Sequence, residues 1–214
     1  MTAVDPIAQL TGPAGPFEIV VDVVAGYPMQ VYKQRMSSLR ELMTQNAARA
    51  DVDWVVQEDR RFNYGEHDRL ARVLASSLAQ LGVQRGDRVA LVAANVPEWV
   101  ITWWACAVLG ATLVPLNAWW KAEELEFGLA DSEAKVLIGD ARRIALVRDR
   151  LASLPALQHV FVIDGPGDAT EEWKQSRPDG RRSASDPLTV IPFAELIADP
   201  GDRSSTHPSA SWLS

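Results

Sequence analysis

The residues of this chain that could do chemistry are few and scattered. There is one cysteine, Cys106, and there are three histidines, His67, His159 and His207, far apart along the chain. No His/Cys/Asp/Glu spacing around them matches a metal cage. A nucleophilic Cys106 would need an electropositive, accessible setting. It stands instead in an uncharged run and reads as a small buried hydrophobe. His67 lies between Glu66 and Asp68 in the first turns of an expected helix, so it reads as part of a solvated face rather than as a base. Phosphate chemistry finds no better footing. "GPAGP" (12–16) has no Ser, Thr or Lys, and its prolines block the amide nest that cradles phosphate. "DGPGD" (164–168) sets an acid at each end and reads as a turn. The two glycines of "GVQRGDR" end a helix and turn into a strand, and neither GxxxxGK nor GxGxxG occurs. No catalytic, cofactor-binding or metal residue is assigned.

The elements that would position any such group are clearer. Of 214 residues, 47% are hydrophobic and 23% charged, which suits one globular domain with a substantial core. The net charge of −7 argues against a polyanion-binding surface. The densest basic stretch, "DARRIALVRDR", is already diluted by two Asp, so nucleic acid is not an expected partner. A single cysteine allows no intramolecular disulfide, and "MTAVDPIAQL" has neither a basic nor an apolar signal region. A reducing cytoplasm is therefore the expected location.

Residues 1–36 are punctuated by Pro and Gly and read as an irregular arm with one β-branched patch, "FEIVVDVV". Ser38 with Glu41 three residues on is the capping-box signature of a helix start. "DWVVQEDRRFNY" reads as a hairpin turning at 58–60. Asn63 with Glu66 opens a helix whose Leu70, Val73, Leu74, Leu78 and Leu81 share one face, and Gly82 ends it. "DRVALVA" (87–93), "ATLVPL", "KVLIGD" (135–140) and "HVFVID" (159–164) are buried strands. Between them stand helical stretches: one capped by Asn95 with Glu98, then "KAEELEFGLADS", then "ARRIALVRDRLASL" with Ile144, Val147, Leu151 and Leu154 on one stripe. This alternation predicts an α/β fold, a mostly parallel sheet of βαβ units with helices on both faces. The predicted organisation is an arm at 1–36, an α/β subdomain at 37–164, and a linker with a disordered tail at 165–214, where "LTVIPFAELIAD" offers a last strand and helical turn.

Residues 99–120, "WVITWWACAVLGATLVPLNAWW", carry no charge, although a bilayer core takes about 20 apolar residues to cross. Gly110, Pro115 and Asn117 break any continuous helix, so the run reads as a buried helix feeding a buried strand. Trp103 and Trp104 are expected in the core. Trp119 and Trp120, beside Asn117, follow the carboxyl end of a strand, where open α/β sheets place ligands. They read as a hydrophobic plug against a neighbouring subdomain, with an acyl-binding wall as the alternative.

The ordered series "RFNYGEH", "GVQRGDRVAL", "NVPEW", "LGATLVPLN", "EELEFGL" and "KVLIGD" resembles the N-terminal subdomain of AMP-forming acyl-CoA synthetases, within the adenylate-forming ligases. The resemblance runs from about Phe17 to Asp164, and "NAWW" with "PMQVYKQRMSSLREL" looks most like the fatty-acyl branch. It implies an enzyme of lipid metabolism that uses ATP and Mg²⁺ to turn a carboxylate into an acyl-adenylate, then lets coenzyme A displace AMP. It also implies a Ser/Thr/Gly-rich phosphate loop ending in Lys, a Thr-Glu motif, a ribose-holding Asp and a C-terminal Lys. None of these occurs here. The phosphate loop is expected just past "PFAELIADPGD", where this chain reads "RSSTHPSASWLS". The expectation is thus a truncated or split ligase fragment, inactive and without ATP alone, whose partner would be its remainder in trans. A non-catalytic interaction module and an aryl-CoA ligase fragment are the alternatives.

Overall fold

A computed structural model describes residues 5–163 and 190–198. The linker and tail expected over 165–214 lie outside these residues, apart from 190–198. The chain divides between Gln45 and Asn46 into two compact units.

In the first unit, Asp5 caps a short helix, α1 (Pro6–Thr11), by accepting from Ile7 N–H. Strands β1 (Ile19–Val24) and β2 (Tyr27–Tyr32) then pair antiparallel around Ala25 and Gly26, both at positive φ. That two-residue turn matches the right-handed twist of a hairpin. The region expected as an irregular arm therefore holds a hairpin. Its second strand, "YPMQVY", hides in the sequence behind a proline. Helix α2 (Leu39–Gln45) follows, with Ser38 Oγ accepting from Glu41 N–H at 3.2 Å. The Glu41 carboxylate accepts from Ser37 N–H at 2.6 Å, one residue earlier than a capping box requires.

The second unit begins with the hairpin of β3 (Asp53–Gln57) and β4 (Arg60–Asn63), with Glu58 at positive φ in its turn. Asn63 and Glu66 then form the full reciprocal capping box of α3 (Tyr64–Gln80). That helix closes as a Schellman motif: Gly82 N–H donates to Ala79 O and Val83 N–H to Leu78 O, with Gly82 left-handed.

Next come β5 (Arg88–Val92), α4 (Pro97–Leu109), β6 (Thr112–Pro115), α5 (Ala122–Asp131), β7 (Val136–Asp140), α6 (Ala141–Val147), β8 (His159–Ile163), β9 (Val190–Pro192) and α7 (Ala194–Ile197). The five strands form one parallel sheet in the order β6-β5-β7-β8-β9. Along β5, β7 and β8 successive side chains alternate between two cores. Val89, Leu91, Val136, Ile138, Phe161 and Ile163 face a core shared with α3, α4 and α7. Ala90, Val92, Leu137, Val160 and Val162 face a second core shared with α5 and α6. Helices thus cover both faces, which is why the strands read as unbroken apolar runs. The uncharged run at 99–120 resolves into α4, a left-handed Gly110, β6 and a loop. Among the described residues no helix is long and apolar enough to cross a membrane.

Two local expectations are corrected. The N-cap of α4 is Val96, without a side-chain cap, rather than Asn95. Glu98 turns away from the cap because Arg60 of β4 claims its carboxylate at 2.5 Å. The stretch expected as one helix over 141–154 is α6 followed by a 3₁₀ segment, Arg148–Ser153, although Ile144, Val147, Leu151 and Leu154 are all buried as expected.

Candidate functional site

Strand order turns back at β5. The chain crosses to β6 on one side, then returns to place β7 on the other. In doubly wound sheets, ligands bind outside the carboxyl ends of the strands at such a point. Gly139 lets β5 and β7 close up there, since a Cβ on it would stand 2.7 Å from Val92 O.

The crevice is occupied by the chain's own charges. Asp140 ends β7 and caps α6, its Oδ1 accepting from Arg143 N–H at 3.0 Å. Its Oδ2 accepts from Ala94 N–H in the β5–α4 loop at 3.1 Å. The Arg143 guanidinium pairs with the same carboxylate and donates through Nε to Ala118 O in the β6–α5 loop at 2.9 Å. Both side chains are largely buried, 17% and 14% exposed. The pair ties the loops after β5 and β6 to the β7–α6 junction. The guanidinium is engaged by a carboxylate and a carbonyl of the chain itself, so these residues do not fit a triphosphate.

The tryptophans expected at this edge part company. Asn117 is exposed and its Oδ1 accepts from Trp119 N–H at 3.0 Å, closing the turn. Trp120 folds back onto α5, where a Cβ at Gly128 would stand 3.0 Å from its ring and 2.9 Å from Leu116. Trp119 points outward, 86% exposed. Trp104 is buried as expected, and Trp103 is half-buried. Cys106 is buried in the first core, and that burial pushes its thiol up to about 12.

His67 overturns its expectation. It is 4% exposed, not solvated. Trp54 of β3 meets its ring at 6.1 Å and Trp104 of α4 at 6.3 Å, both edge-on. Burial holds its pKa below the ordinary value, opposed by a hydrogen bond to the Val100 backbone and by Asp68. Neighbouring acids in sequence mark a surface, but two aromatic rings brought from other elements cover it. Asp140 and Arg143 carried one legible signal, an Asp at a strand end directly before a helix. The guanidinium's reach to Ala118 carried none.

The architecture, a five-stranded parallel sheet clothed by βα units with a hairpin ahead of them, is that of the N-terminal domain of adenylate-forming ligases. The model of the AMP-binding enzyme family matches residues 42–204, and the chain belongs to that family. It is 40% identical over 97 residues to the long-chain-fatty-acid–CoA ligase FadD15 of Mycobacterium bovis, covering 45% of this chain and 16% of that protein. It is 29% identical over 153 residues to a crotonobetaine/carnitine–CoA ligase of Salmonella paratyphi B, covering 68% and 29%. Among solved structures, the anthranilate CoA ligase AuaEII, in complex with anthranoyl-AMP, matches with a TM-score of 0.58 and 28% identity, covering 69% of this chain and 28% of that one. The chain thus spans less than a third of these relatives.

Proposed function

We propose that these residues are the sheet scaffold of an ATP-dependent fatty acid–CoA ligase and that the 214-residue polypeptide by itself neither activates a carboxylate nor holds a nucleotide. The observation that carries this reading is the Asp140–Arg143 pair, whose own carboxylate engages the donors at the strand-order reversal. The motif content supports it, since the sequence has no Ser/Thr/Gly-rich loop ending in Lys to meet phosphate charge. The identity to a long-chain-fatty-acid–CoA ligase supports the fatty-acyl assignment. The exposed Trp119 supports a second element of the reading, association with the remainder of the ligase in trans. Buried Cys106, with no disulfide, suits a reducing cytoplasm.

ATP–pyrophosphate exchange tests the proposal with a panel of fatty and aromatic acids. The polypeptide alone gives background exchange with every acid. Added remainder restores exchange, with long-chain acids ahead of aromatic ones. Turnover by the polypeptide alone refutes the reading, and a preference for aromatic acids refutes the fatty-acyl assignment.

A further inference from the structure

We propose that the β3–β4 hairpin is an acid-sensitive clamp on the β5–α4 loop, with His67 beneath Trp54 as its sensor. The hairpin pairs with no strand of the five-stranded sheet. A two-stranded hairpin is marginal in water by itself, so its side-chain anchors decide whether it stays. Those anchors are Phe62 and Val55, packed into the core of α3 and α4, and Trp54, whose ring lies 4.6 Å from Tyr64 and 6.1 Å from His67. The clamp grips at two points. Gln57 Nε2 donates to Asn95 O at 2.9 Å, and Arg60 pairs with Glu98 in the first turn of α4. The gripped loop is the one that gives Ala94 N–H to Asp140.

The sensor is set by what surrounds the imidazole. His67 bonds the Val100 backbone, and its Nε2 is buried without a hydrogen-bond partner. A neutral ring tolerates this as an unused acceptor, whereas a protonated ring carries a second N–H donor. Several charged groups on the surrounding elements are held by other partners. On α3, Asp68 is held by Arg72 at 2.8 Å and Glu66 by its capping box. On α4, Glu98 is held by Arg60, and Cys106 stays a thiol. On the hairpin, Asp53 and Arg61 hold each other at 2.8 Å. Tyr64 faces Trp54, and Arg49 stands on the 3₁₀ turn before β3. The new donor on Nε2 therefore meets no hydrogen-bond partner among the described residues, and Asp68 alone of the nearby charges favours it. With the folded pKa below the ordinary 6.5, the unfolded or opened state binds the extra proton first. Hairpin docking is intact above 6.5 and is lost as pH falls through the folded value.

Hydrogen exchange of the full chain between pH 7.5 and 4.5, corrected for intrinsic rates, reads this directly. Opening of the β3 and β4 amides rises about tenfold per pH unit below 6.5 until the folded value is reached, while β5 and β7 amides hold. In His67→Gln the response disappears. A hairpin that opens no more than the sheet, or a response that survives in His67→Gln, overturns the proposal. Should that variant fail to fold, the wild-type chain still decides. The His67 ring nitrogens and the Trp54 indole N–H share one titration midpoint below 6.5, and separate midpoints overturn the clamp.

Discussion

Asp140 and Arg143 face each other across a single helical turn, and between them they bind the loops after β5 and β6 to the start of α6. The carboxylate accepts from two backbone N–H groups and a guanidinium, and the guanidinium donates to a carbonyl of the β6–α5 loop. That pair is thus engaged within the chain at the point where the strand order reverses.

Removing the carboxylate strands three donors at once. Asp140→Ala lowers stability by about 2–4 kcal/mol, seen as a lower urea midpoint at unchanged slope. Asp140→Asn recovers part of the loss, because an amide oxygen still caps α6.

The closeness of β5 and β7 depends on Gly139. A methyl group there meets the Val92 carbonyl at 2.7 Å, and backbone cannot step aside as a side-chain tip can. Gly139→Ala destabilises by about 1–3 kcal/mol in thermal unfolding. A neutral result would show that the strands separate freely.

The two adjacent tryptophans behave differently. Trp120→Ala costs about 2 kcal/mol by denaturant titration, because its ring fills the space over Gly128 and Leu116. Trp119→Ala changes stability by less than about 0.5 kcal/mol, as an exposed side chain should, and on the proposed association in trans its effect is on binding of the ligase remainder alone.

Cys106 resists alkylation at pH 8 in the folded chain and reacts once urea unfolds it, which mass spectrometry resolves. Its pKa is raised in the fold to about 12 from an ordinary 9.0, so the unfolded thiol ionises first. The stability this thiol permits is full below pH 9 and declines as pH rises toward 12, and Cys106→Ser flattens that part of the alkaline limb.

The sheet was legible because its central strands β5, β7 and β8 are buried on both faces and flanked by turn residues, so Val89–Val92 and Val136–Ile138 could read only one way. Local pairings were legible for the same reason, as the Asn63–Glu66 box and Gly82 show. Features set by distant partners were not. Glu98 sits at a capping spacing from Asn95, yet Arg60, 38 residues earlier, takes its carboxylate. His67 looks like surface until Trp54 and Trp104 fold over it. Periodicity records what a residue's own element does, and these fates are decided by another element.

Isothermal titration of the 214-residue polypeptide with ATP and Mg²⁺, alone and with a long-chain fatty acid, addresses the scaffold reading most directly. Heats no larger than dilution are expected up to millimolar nucleotide. A saturable isotherm with one site per chain, at micromolar affinity, would contradict it.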